Sequence, residues 1–396
     1  MAKRSIKDLN VANKRVLLRV DYNVPMSKEG AITDDKRIVE TLPTIRYLLE
    51  KNATIIIVTH MGRPDGKVVE ALRLDKVAQR LAALIGKPVN KLNSVVGPDV
   101  TEAVAAAKAG EIIMLENVRF LKEEKTGSEE LAKQLAALAD VYVDDAFATA
   151  HRPDTSVAGV PQFLPSAAGF LLQKEIDVLE TVTTAAKKPF IAILGGAKVS
   201  DKISLIKNLL TKTDVVLIGG GMAFTFLKAK GYGVGFSLVE EDYLKVADEI
   251  IEEAKAKGTR LLLPIDVVVT NEIKEGSSHR VVDIEEIPAD RIGVDIGPET
   301  LAAFEAEVAA ANTIIWNGPM GVIEIEEFAA GTKDLARSIA SNSRALTVAG
   351  GGETASVIDS LGLQKDFKHV STGGGAFLEY LEGKQLPGIE AIDSVD

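Results

Sequence analysis

Short β-branched runs alternate along the chain with longer stretches in which Ala, Leu and Lys recur at helical spacing. In the first half the runs are Arg15–Asp21, Thr54–Thr59, Glu111–Leu115 and Val141–Asp145. In the second half they are Phe190–Leu194, Val215–Ile218, Leu261–Leu263, Thr313–Trp316, Ala345–Val348 and His369–Ser371. Helical stretches such as Leu74–Ile85 and Tyr243–Lys257 lie between them. This alternation predicts βαβ units, and two such series predict an α/β chain of two doubly wound parallel-sheet domains. Within Ser166–Lys188, the residues Leu171, Leu172, Ile176, Leu179 and Val182 recur at helical intervals, so a linking helix is expected rather than a loose tether. The expected division is a first domain over 1–170, a linking helix over 171–188, a second domain over 189–380 and a C-terminal segment, 381–396, packing back on the first domain. Two such lobes would flank a cleft.

Composition narrows the class. Of 396 residues, 46% are hydrophobic and 26% charged, the balance of a globular chain with sizeable cores and not of a disordered one. Apolar runs such as Ile55–Val58 are far shorter than the roughly 20 residues that span a bilayer, so no membrane role is expected. The absence of cysteine excludes disulfides, zinc–thiolate sites and thiol catalysis. Basic residues near the N-terminus precede no apolar stretch, so no secretory leader is expected and the cytoplasm is the expected compartment.

A net charge of −11 argues against a nucleic-acid partner. That charge is unevenly spread: residues 1–173 carry 24 Lys and Arg against 22 Asp and Glu, whereas residues 174–396 carry 22 against 35. A near-neutral half in an acidic chain suggests cations gathered for a small anion.

Ligands of open α/β sheets sit beyond the carboxyl ends of the strands, so the residues following each run carry the chemistry. In the first half these are Asp21-Tyr22-Asn23 with Arg37 downstream, His60-Met61-Gly62-Arg63, Glu116-Asn117-Val118-Arg119, and Ala146 to Arg152. Arg grips phosphate and carboxylate bidentately, so Arg37, Arg63, Arg119 and Arg152 on one rim would hold a small polyanion. In the second half the runs end in glycines: Gly195-Gly196, Gly219-Gly220-Gly221, Asn317-Gly318, Gly350-Gly351-Gly352 and Gly373-Gly374-Gly375. Such turns allow close approach of backbone to phosphate, and a following helix adds N–H donors and a positive dipole end. Lys198 and Lys202, four apart, are expected on one face at the start of a helix, a costly placement unless an anion sits there. No G-x-x-x-x-G-K-[ST] occurs, which excludes a Walker-A loop. Gly350-x-Gly352-x-x-Ala355 fits the relaxed dinucleotide fingerprint, but no acidic residue ends the next strand candidate, where His369 to Thr372 stand.

Together these segments resemble phosphoglycerate kinases. Arg19-Val20-Asp21-Tyr22-Asn23-Val24-Pro25 is similar to that family's N-terminal signature. His60 to Pro64, Gly195 to Lys202, Asn317 to Gly321 and Ser371 to Ala376 follow in the family order over essentially the whole chain. The resemblance implies reversible phosphoryl transfer between ATP and the carboxylate of 3-phosphoglycerate, giving 1,3-bisphosphoglycerate and ADP, with Mg, domain closure and a monomeric state. It assigns Asp21, Asn23, Arg37, His60, Arg63, Arg119 and Arg152 to phosphoglycerate. To the nucleotide it assigns Lys198, Lys202, Gly219, Gly220, Gly293, Asn317, Glu324, Gly351, Gly352, Glu353 and Thr354. Arg37, Lys202, Gly351 and Gly374 are the expected catalytic positions, and Glu353 the expected metal position. Two positions depart from the family pattern: Glu353 stands where Asp is usual, and Asp154 where a second His is frequent.

Overall fold

The computed structural model of the chain describes residues 2–395. They form two compact units, 2–177 with 385–395, and 178–384. The boundaries expected at 170/171 and 380/381 thus fall at 177/178 and 384/385.

The first unit is built on β1 (Arg15–Val20), β2 (Thr54–Val58), β3 (Val89–Lys91), β4 (Ile112–Met114), β5 (Val141–Asp145) and β6 (Ser166–Ala168), all parallel, in the order β3-β4-β2-β1-β5-β6. Alternate residues serve opposite faces. Val16, Leu18 and Val20 join one core with Ile55 and Ile57, while Leu17, Ile56 and Val58 join the other. Helices covering both faces leave no polar side to the central strands, which is why they read as continuous apolar runs. The final residues are tied into this unit: Arg4 pairs with Asp393 at 2.9 Å, and the Gly388 N–H donates to the Ala150 carbonyl at 2.8 Å.

The second unit contains β7 (Phe190–Leu194), β8 (Val215–Ile218), β9 (Arg260–Leu262), β10 (Asp266–Thr270), β11 (His279–Asp283), β12 (Ile292–Ile296), β13 (Thr313–Asn317), β14 (Leu346–Ala349) and β15 (His369–Val370). Six of these form a parallel sheet in the order β15-β14-β13-β7-β8-β9. Its buried face is organised around Trp316, Ile314, Ile191 and Leu217.

Three features depart from the sequence-based expectation. Ser166–Ala168 is the sixth strand of the first sheet, and the linking helix runs only over Phe170–Thr184. Strands β10, β11 and β12 form a separate antiparallel sheet in the order β11-β10-β12. Finally, Lys198 and Lys202 do not share a helix face. Residues 199–202 are turns and bends, the helix is Ile203–Leu209, and Lys202 is its cap.

Candidate functional site

In the first unit the site begins at the carboxyl end of β1. Asp21 is buried and accepts a hydrogen bond from Arg37. Its other oxygen accepts from the Asn23 N–H at 3.2 Å and lies 3.7 Å from His60 Nδ1. Asn23 Oδ1 in turn accepts from the Gly62 N–H at 2.9 Å, locking the turn after β1 to the turn after β2. Arg119 is nearly buried, and one of its amino groups donates to the Gly62 carbonyl at 2.9 Å. Its Nε and Nη2 have no hydrogen-bond partner despite burial. Unpaired buried donors on a guanidinium are costly, and they are what an anion would satisfy.

His60 reports how these cations converge. Burial holds its pKa well below the ordinary histidine value, and Arg19, Arg119, Arg152 and Arg37 push it further down. Arg119 is itself lowered, first by burial and then by Arg152. The structure therefore brings Arg37, Arg119 and Arg152 to one strand-end region with His60, Asp21 and Asn23. Arg63, next in the chain to Gly62, is exposed. Asp154 is buried with Oδ2 3.7 Å from the Arg119 guanidinium, so its charge is spent on the cluster instead of opposing a ligand at the rim.

In the second unit, glycines at the strand ends pack the turns on one another. A Cβ on Gly195 would lie 2.0 Å from the Pro319 carbonyl oxygen, and one on Gly219 would lie 2.4 Å from Met320 Sδ. Gly220, at φ +67°, would place a Cβ 2.6 Å from Gly196 N. These glycines are required by loop packing, whereas the sequence had suggested phosphate approach alone. Gly352 is different: nothing lies within 4 Å of its Cβ position. The helices Gly352–Ser360 and Gly374–Leu381 start side by side, with a Cβ on Gly374 falling 3.5 Å from Gly351 Cα. Two helix N-termini present unpaired N–H groups and positive dipole ends to the same space.

Lys202 donates to Asn317 Oδ1, and Asn317 Nδ2 donates to the Gly350 carbonyl at 2.7 Å, so the ammonium is held against the Gly350–Gly352 turn. Burial lowers the Lys202 pKa to about 8, while Glu353 and Asp201 act to raise it. Lys198 is exposed, and its charge lies beside Glu240, which holds the Ser200 N–H at 3.0 Å. Thr354 is fully buried, its hydroxyl accepting from the Gly318 N–H at 2.8 Å, so it braces the turn.

Next to these turns is a cavity of about 210 Å³. Gly220, Gly293, Glu324 and Glu353 line it, together with Phe224, Leu238, Ile292, Pro319, Val322 and Ile323. Gly293 lies on the Phe224 ring, where any Cβ would overlap it at 2.0 Å, and its N–H donates to Ser237 Oγ at 2.9 Å. The apolar wall was invisible in the sequence because β12 brings Ile292 and Gly293 to it from the unexpected antiparallel sheet. Phe224 and Pro319 are both part of the cavity wall, beside the glycine turns at Gly196 and Gly220.

For magnesium, no group of three His, Asp or Glu side chains converges among the described residues. Mg²⁺ commonly takes one or two carboxylates plus substrate phosphates and retains waters, so a lone carboxylate beside a phosphate site fits the ion. Glu353 lines the cavity from the first turn of its helix and is exposed; Glu324 lines it as well.

A sheet end that gathers arginines, and another that offers paired helix starts, a lysine and an apolar slot, define a nucleotide-dependent kinase of a small anion. Comparison with known proteins agrees. The phosphoglycerate kinase family model matches residues 6–384. Phosphoglycerate kinases of Dictyoglomus turgidum and Moorella thermoacetica are 54% and 53% identical to the chain, each over 99% of both proteins. The structure of phosphoglycerate kinase from Coxiella burnetii superimposes with a TM-score of 0.90 at 43% identity, covering 98% of each chain. That from Pyrococcus horikoshii OT3 gives 0.84 at 35% identity, again covering 98% of each. The chain belongs to the phosphoglycerate kinase family.

Proposed function

We propose that the first unit holds 3-phosphoglycerate and the second holds ATP, and that the residues described above divide the reaction between them. The activity is that of the family, reversible phosphoryl transfer between ATP and the carboxylate of 3-phosphoglycerate, yielding ADP and 1,3-bisphosphoglycerate. The observation that carries the assignment is the cluster of Arg37, Arg119 and Arg152 around His60 in the first unit; the second unit separately supplies an apolar cavity and glycine turns.

The attacking group is a carboxylate, already ionised at neutral pH, so no general base is needed. Catalysis then consists of positioning and of neutralising charge on the moving phosphoryl group. Arg119 and Arg152, with Arg63 at the exposed edge, would grip the phosphoglycerate; Asp21, Asn23 and His60 would orient its polar groups. Arg37, half-exposed and paired with Asp21, would turn toward charge that develops during transfer. The base would lie over Gly293 beside Phe224, with Lys198 and Glu324 at the edges of the nucleotide site and Gly219 and Asn317 holding its floor. Lys202 and the N–H groups of Gly351, Gly352 and Gly374 would stabilise the transferred group. Glu353 would hold magnesium, which when bound offsets phosphate charge.

Each ligand is assigned to its own unit, so the reading includes a closure that aligns the two. Small-angle scattering should show the greatest compaction with both ligands present. The enzyme is read as a cytoplasmic monomer; no helix among the described residues is long and apolar enough to cross a membrane. A coupled assay with ATP, Mg and 3-phosphoglycerate tests the activity directly. Failure to turn over phosphoglycerate while binding a nicotinamide dinucleotide would favour the dinucleotide-fingerprint reading instead.

A further inference from the structure

Arg19 is fully buried in β1 and was read from the sequence only as part of a strand signature. Its guanidinium nevertheless has three partners. Nε donates to Ser156 Oγ at 2.9 Å, one amino group donates to the Val20 carbonyl, and Nη2 lies 3.3 Å from His60 Nδ1. Ser156 is held in turn by Glu124, its N–H donating at 2.9 Å and its hydroxyl at 2.6 Å to the two carboxylate oxygens. Glu124 is itself fully buried. Ser156 Oγ thus accepts from Arg19 and donates its own hydrogen to Glu124.

A guanidinium has donors and no acceptor. His60 Nδ1 facing Arg19 must therefore be the unprotonated nitrogen, and an uncharged ring then carries its hydrogen on Nε2. The groups that face His60 are Asp21, Arg19, Arg37, Arg119 and Arg152. Of these only Asp21 could favour the opposite tautomer. Its oxygen is 3.7 Å from Nδ1, beyond hydrogen-bond reach.

We infer that Glu124, Ser156 and Arg19 form a positioning relay that fixes His60 as the Nε2–H tautomer, so that it offers a hydrogen to an anionic substrate without itself taking up charge. None of the three relay residues need touch the substrate. The consequence deepens the function proposed above and rests on His60 belonging to the phosphoglycerate site. A neutral donor grips an anion without presenting a lone pair that would repel it. The second nitrogen is what fixes which hydrogen a histidine shows.

The test is a long-range ¹H–¹⁵N spectrum of the ligand-free, full-length protein, with His60 assigned through His60→Gln. Nδ1 should give the unprotonated signal and Nε2 the protonated one; the reverse pattern overturns the relay. Ser156→Ala, which keeps Arg19 and its charge, should mix the two tautomers. It should also raise KM for 3-phosphoglycerate roughly tenfold, the scale of a hydrogen bond to a charged group, with little change in kcat. An unchanged tautomer and KM in folded Ser156→Ala would overturn the proposal. Arg19→Lys should also lose the wild-type tautomer pattern, because a point charge cannot serve Ser156 and His60 together. Adding 3-phosphoglycerate to the wild type should shift the Nε2 signal. If the tautomer is as inferred but phosphoglycerate moves nothing, the site assignment fails while the relay stands.

Discussion

Arg37 and Asp21 form an ion pair in which the carboxylate is buried and the guanidinium is not, with side-chain exposures of 9% and 37%. Asp21 is held from both sides, by Arg37 on one oxygen and the Asn23 N–H on the other. Arg37 is the solvent-facing partner of the pair, and the Asn23 N–H stays on Asp21 if the guanidinium turns to another anion.

Arg37→Ala should lower kcat on the order of 10³-fold or more while KM for 3-phosphoglycerate moves little, the signature of contact made only in the transition state. Arg37→Lys should remain poor because it lacks the fork. Steady-state kinetics on both variants check this. A large KM rise with nearly normal kcat would make Arg37 an ordinary binding residue.

Lys202 titrates within reach of neutral pH, at about 8. Its ammonium is present below that value and lost above it, so kcat/KM for ATP should fall as pH rises through about 8. Lys202→Arg keeps its charge throughout and should remove that limb, at lower overall activity. Glu353→Gln removes a charge that raises the Lys202 pKa, so the limb should move to lower pH. A pH–rate profile of the three proteins decides.

Glu353→Ala should raise the magnesium concentration needed for half-maximal rate, and Glu353→Asp should leave it unchanged or lower it. An unaltered magnesium titration in the alanine variant would leave Glu353 only its place in the first turn of a helix, where the dipole favours an acid.

The glycines should separate by role. Gly195→Ala forces its Cβ into the Pro319 carbonyl and should destabilise the second unit along with nucleotide binding. Gly352→Ala meets open space, so thermal unfolding should be unchanged or later by a few degrees while KM for ATP rises. Calorimetry and kinetics on the pair distinguish packing glycines from a ligand-facing one.

Asp145 is buried in the first sheet, and burial raises its pKa to about 7. Its folded pKa lies above the unfolded one, so the folded state binds the extra proton between about pH 4 and 7 and stability falls as pH rises through that window. Asp145→Asn keeps an acceptor for the Leu171 and Leu172 N–H groups at 2.9 and 3.1 Å and cannot ionise. It should gain thermal stability over the wild type at pH 8, and that advantage should shrink through the window and vanish at about pH 4. Equal differences at both values would show that Asp145 does not ionise in this range.

The amino-acid sequence alone determined the two parallel sheets, because strands covered on both faces must be apolar throughout, and runs such as Thr54–Val58 and Phe190–Leu194 leave no other pattern to read. It also made the arginine-rich and glycine-rich strand ends legible, since those residues are local and nameable. Tertiary structure alone decided which of those residues meet. The exposure of Arg63, the seating of Arg119 against Asp154 and the placement of Lys202 on Asn317 depend on contacts between segments far apart in the chain. The antiparallel sheet stayed hidden because β11 is almost wholly exposed and carries no apolar run, and with it went the cavity wall at Ile292 and Gly293. Gly195, Gly220 and Gly318 proved to be spacers between turns, since a backbone that must pass within contact of another backbone excludes a side chain whether or not a phosphate is ever bound.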